Sequence, residues 1–113
     1  MLPKPNRLPS PEIKSLMRMG KRINGDGISL IYRKRDPVGL SRFAFVVPVS
    51  VDKRATARNR LKRLTREPVR LALPSLTPGW DGVFMVRKGL GDEFGVVDGR
   101  VREVLQIAGI LKG

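Results

Sequence analysis

The sequence contains no cysteine and no histidine. Without thiols there is no disulfide and no thiolate metal site. Without imidazoles the commonest transition-metal ligand, the usual general base and every Ser–His or Cys–His nucleophile pair are gone. Aromatic residues make up only 5% of the 113 residues, so few rings remain beyond those a core needs. No apolar run reaches the roughly 20 residues of a membrane span. The start, Met1-Leu2-Pro3-Lys4-Pro5-Asn6-Arg7, lacks the apolar centre of a signal peptide. These absences predict a cytoplasmic protein with no membrane partner.

Acidic residues are also scarce. Ten Asp and Glu face 23 Lys and Arg, giving a net charge of +13. Such a surplus repels itself in the folded state, and a polyanion is the partner that relieves it. Asp81, Asp92, Glu93 and Asp98 are scattered over expected loops and a helix cap, whereas a metal nuclease gathers its carboxylates. No catalytic residue and no protein metal site is expected.

At 41% hydrophobic, the chain can build one modest core. Residues 1–10, with Pro3, Pro5, Pro9, Lys4 and Arg7, read as an extended, basic, Pro-rich N-terminal arm. Residues 11–113 read as a single domain. Pro11 and Glu12 suit a helix start, and Ile13, Leu16 and Met17 share a face over about 11–19. Asn24-Gly25-Asp26-Gly27 marks a turn, 28–34 a strand with Ile28, Leu30 and Tyr32 on one face, and 36–39 a second turn. Residues 42–47 and 81–87 read as further strands. A helix over 54–72 would dock through Ala57, Leu61, Leu64, Leu71 and Ala72, with a kink or an early end near Pro68. A last helix over about 97–108 would bury Val97, Val101, Val104, Leu105 and Ala108, with Gly109 as its C-cap. The order is α-β-β-α-β-α, with room for one more short strand.

The central helix carries the densest chemistry. Arg58, Lys62, Arg66 and Arg70 recur every fourth residue and form a cationic ridge, which Arg60 and Arg63 broaden. Arg grips phosphate bidentately and stacks on bases, and Asn59 adds an amide. The bland alternative is a solvated face with Arg63–Glu67 as an i,i+4 pair. That pair contributes only a few tenths of a kcal/mol and does not offset the repulsion of so many cations.

Arg58-Asn59-Arg60, continued by Leu61-Lys62-Arg63-Leu64-Thr65-Arg66-Glu67, resembles the Arg-Asn-Arg signature of the bacterial ribonuclease P protein family. Phe45-Val46-Val47 and Lys53-Arg54-Ala55 upstream, Gly20-Lys21-Arg22, Leu30-Ile31-Tyr32, Gly79-Trp80-Asp81 with Val83-Phe84-Met85-Val86, and Ile107-Ala108-Gly109 extend the likeness over nearly the whole chain. The resemblance implies an α/β (α+β) two-layer sandwich of the ribosomal-protein-like kind, with a left-handed βαβ crossover. It makes 11–113 a single RNA-binding domain, the protein subunit of ribonuclease P. That enzyme removes the 5′ leader of precursor tRNA by Mg²⁺-dependent endonucleolytic cleavage, with the metal held mainly by the RNA subunit. The implied partners are ribonuclease P RNA, with one protein per RNA, and precursor tRNA.

Two RNA surfaces follow. The ribozyme RNA would meet Arg54, Arg58, Asn59, Arg60, Lys62, Arg63, Arg66 and Arg70. The single-stranded leader would lie in a cleft between the first helix and the open sheet face, lined by Ile13, Met17, Tyr32, Phe43, Phe45 and Lys53, where aromatics stack bases and cations follow the backbone. The chain departs from the family twice. Ile13 stands where an aromatic is usual, and Pro48-Val49-Ser50 replaces Ser-Lys-Lys. Lys14, Arg18, Lys21 and Arg22 are candidate replacements for the missing cations. The rival readings are a structural RNA-binding protein, which needs no leader cleft, and a DNA-binding helix, which usually needs a dimer interface.

Overall fold

A computed structural model describes residues 2–35 and 39–112. Of the turn expected over 36–39, residues 36–38 lie outside that description. The elements run α1 (Ser10–Met19), β1 (Lys21–Asn24), β2 (Ile28–Lys34), β3 (Arg42–Val46), α2 (Ala55–Ala72), β4 (Trp80–Val86) and α3 (Phe94–Ile107). The sheet order is β1-β2-β4-β3, with β3 and β4 parallel and the other pairs antiparallel.

Strand alternation sorts the core into two clusters. On one face Ile28, Leu30, Phe43, Phe84 and Val86 pack with Val69 and Ala72 of α2 and with Val97, Val101, Val104 and Leu105 of α3. On the other face Ile31 and Val83 pack with Leu16 of α1 and with Leu8. Sheet and α2/α3 layer thus form the sandwich, and α1 lies across the outer face of β2 and β4. Because β2 is covered on both sides, Ile28 to Ile31 are all buried.

The hand of the β3-α2-β4 crossover follows from one hydrogen bond. The Phe43 carbonyl accepts from Leu8 N on the edge away from β4, while the Phe43 ring lies on the α2 face. For an L-residue these directions put β4 to the left of β3, seen from α2 with both strands pointing up. The crossover is therefore left-handed, against the general rule.

The further short strand for which the sequence left room is β1: of Lys21-Arg22-Ile23-Asn24 only Ile23 packs against the core, so periodicity has nothing to show. The expected turn folds it onto β2, with Gly25 N donating to Ile28 O. Several expectations need correction. The arm is not extended along its length. Lys4–Asn6 is a 3-10 turn, and Leu2 and Leu8 are buried in the two different clusters. Pro68 neither ends nor breaks α2; it is buried inside the helix. Leu71, expected in the core, is 49% exposed, and Thr65 and Val69 are buried instead. Thr65 is tolerated there because its hydroxyl bonds the Leu61 and Lys62 carbonyls. The helix α3 starts at Phe94, three residues early, and closes as expected. Gly109 at φ 78° forms a Schellman motif, with Ile110 N on Leu105 O and Gly109 N on Gln106 O.

Candidate nucleic-acid interface

The loop entering α2 is built around one carboxylate. Asp52 accepts from the backbone N, Nε and Nη2 of Arg54. These charge-assisted bonds hold its carboxyl down at about 2. Arg58 reaches back, and its Nη1 donates to the carbonyls of Asp52 and Lys53 at 3.0 and 2.8 Å. The first arginine of the Arg-Asn-Arg motif therefore also ties the helix to its own approach. Lys53 itself is exposed in this loop.

Along α2 the cations divide. Asn59, Arg60 and Arg63 face solvent. Arg60 has one loose ion pair, 3.5 Å from exposed Asp92. Lys62 and Arg66 instead border β3: the Arg66 guanidinium lies 5.9 Å from the centroid of the Phe45 ring. Together with Arg7, Leu2, Leu8 and Phe45 they line a cavity of about 260 Å³ between arm, sheet edge and helix. Arg70 pairs with Glu67, Nε to Oε2 at 2.9 Å, so the Arg63–Glu67 pair considered from sequence does not form. That bond lowers the Glu67 carboxyl below its ordinary value. The eight expected residues thus share one helix and its approach, but only Asn59, Arg60 and Arg63 present side chains with little else to hold.

The second expected surface is split. Ile13 and Met17 do lie together on α1, beside Ala44, Val46 and Met85 of the sheet. Tyr32, Phe43 and Phe45 are on the opposite face, among the residues that meet α2 and α3. Phe43 is 2% exposed and packs on Phe84, while Phe45 stacks on Phe84 at 5.4 Å. The reason is parity: residues 43 and 45, like residue 32, share the pleat of Leu30 and Phe84, which points at the helices. The sheet face beside α1 is consequently aliphatic, and strand alternation places Arg22 and Arg33 on that face.

Sequence reasoning also missed Asp81, which is fully buried. It accepts from Arg42 through Nε and Nη2, both at 2.9 Å, and from Arg35 Nε at 3.0 Å. Arg42 also pairs with Glu12 at 2.8 Å, so one guanidinium links β4, β3 and α1. Its partners raise the Arg42 pKa, the bond to Asp81 foremost. The signal was present: a lone Asp inside an apolar strand needs a cation.

Among the described residues no three acidic side chains gather to hold a metal ion, and no helix is long and apolar enough to cross a membrane.

The family model described as Ribonuclease P matches residues 2–108. The ribonuclease P protein component of Roseiflexus sp. is 36% identical over 108 residues, covering 94% of this chain and 88% of the relative. That of Microcystis aeruginosa is 36% identical over 81 residues, 69% of this chain and 68% of the relative. The solved ribonuclease P protein of Thermotoga maritima superposes with a TM-score of 0.80 at 26% identity, covering 95% of this chain and 98% of that one. The Staphylococcus aureus protein reaches 0.84 at 17% identity, covering 96% and 100%, a likeness of fold alone.

Proposed function

This chain belongs to the ribonuclease P protein family, and we propose that it binds ribonuclease P RNA and precursor tRNA and assists removal of the 5′ leader. The observation that carries the reading is the outward cationic surface of α2, Asn59-Arg60 with Arg63, mounted on a core that fixes its direction. Arg and Asn on a rigid helix suit phosphate and sugar contacts, whose strength comes from counterion release. The aliphatic face beside α1, which also carries Arg22 and Arg33, suits a single strand held by its backbone more than by ring stacking.

The described residues do not gather a metal site. We place the Mg²⁺ of the reaction, and the chemistry itself, on the RNA. The chain's share is binding: one protein per RNA, screening phosphate repulsion and holding the leader in line. Cytoplasmic location goes with that role.

The test is cleavage of a precursor tRNA by bacterial ribonuclease P RNA at low Mg²⁺, with and without the protein. The protein should stimulate cleavage, and Arg60→Ala with Arg63→Ala should lose most of the stimulation while keeping the wild-type unfolding midpoint. Absence of stimulation across all protein concentrations, with the RNA active alone at high Mg²⁺, would move the reading to a structural RNA-binding role.

A further inference from the structure

The rings missing from the α1 cleft reappear beyond its end. Tyr32 of β2 and Trp80 of β4 are both half-buried on the opposite face of the sheet, with centroids 5.7 Å apart and planes inclined at 58°. They wall a cavity of about 340 Å³, whose rim includes Met19 at the end of α1, Lys21, Arg33 and Lys34. The Lys34 ammonium sits 4.7 Å from the Trp80 ring centroid. The indole N–H donates to Thr77 Oγ1 at 2.9 Å, which fixes the ring in place. None of the described residues lining the cavity is acidic.

We propose that this cavity is a stacking site for one unpaired nucleobase of single-stranded RNA. Two rings meeting at an angle offer π-surface to any base, and Lys21 and Lys34 at the rim can take the flanking phosphates. A volume near the small end of ligand-sized cavities suits a single base. The position adds a direction. Met19 closes α1, so a strand passing from the aliphatic face around the end of that helix meets Lys21 and then the two rings. The aliphatic face would hold backbone, and the Tyr32–Trp80 site would hold a base. The inference rests on the RNA-binding reading and adds a contact remote from the Arg-Asn-Arg surface.

Trp80 is the one tryptophan of the chain, so its fluorescence reports this site alone. The experiment titrates the full-length protein with a labelled single-stranded RNA hexamer, following Trp80 emission and probe anisotropy together. The proposal expects emission to be quenched with the same midpoint as the anisotropy. Tyr32→Leu, which keeps an apolar side chain against the core, should weaken hexamer binding about tenfold, as loss of one base–ring stack does. Lys21→Gln with Lys34→Gln, both exposed, should weaken it and flatten its salt dependence. A thermal melt of each variant separates lost binding from lost fold. Hexamer binding that leaves Trp80 emission unchanged would overturn the proposal while leaving the RNA-binding reading intact. Absence of hexamer binding would overturn it as well, and stimulation of cleavage by the same protein preparation would then show that the broader reading survives.

Discussion

Arg58 and Arg60 are two residues apart and do different work. Arg58 holds the carbonyls of Asp52 and Lys53, whereas Arg60 has a single long contact to an exposed carboxylate. Arg58→Ala should therefore lower both stability and RNA affinity, and Arg60→Ala affinity alone; urea unfolding beside RNA titration separates them. Asp81 is the residue whose loss should cost most. Asp81→Ala strips the shared partner from Arg42 and Arg35, leaving Arg42 only its half-exposed pair with Glu12, and the expected destabilisation is about 3 kcal/mol or more. Asp52 sets a pH window. Its carboxyl is held at about 2, below the ordinary 3.8, so its contribution to the α2 approach is complete above about pH 4 and fades as pH falls toward 2. Asp52→Asn should remove that window from the acid melting profile.

At the scale of elements, α2 is the instructive case. A proline inside a helix costs about 3 kcal/mol, yet α2 runs through Pro68 because the ring is buried against the core with Val69 and Ala72. Pro68→Ala restores a backbone donor and loses about two buried methylenes, each contributing about 0.8 kcal/mol. The two effects leave a net gain of about 1 kcal/mol, readable as a higher urea midpoint. The turn between β1 and β2 is less tolerant. Gly27 has φ 75°, and a Cβ there would come within 2.6 Å of the Leu90 backbone. Gly27→Ala should detach β1 and the loop after β4 from each other, seen as faster amide exchange in both.

For the whole molecule, charge governs behaviour. With no histidine, nothing in the side chains titrates in the ordinary way between pH 5 and 8. RNA affinity should accordingly be flat over that range and fall steeply with salt. Removing Arg60 and Arg63 together should reduce the slope of log K against log salt by about 2, one for each phosphate no longer neutralised.

Composition and motif were enough to determine that this is a strongly basic chain of this family, and helical spacing found α2 because a cationic ridge is a local pattern. The strand at Ile28–Lys34, the cap at Gly109 and the pairing of Ile13 with Met17 were legible for the same reason. Tertiary structure alone decided which face of the sheet each ring occupies. Parity links Tyr32, Phe43 and Phe45 to one another's kind of position, but a strand's own sequence does not say which side the helices will cover. That choice depends on the left-handed passage of α2 between two parallel strands, a long-range event. It moved the aromatics out of the α1 cleft, buried Asp81 between two arginines, and brought Tyr32 against Trp80 across 48 residues of chain, since two hydrogen-bonded neighbours in a sheet need not be neighbours in sequence.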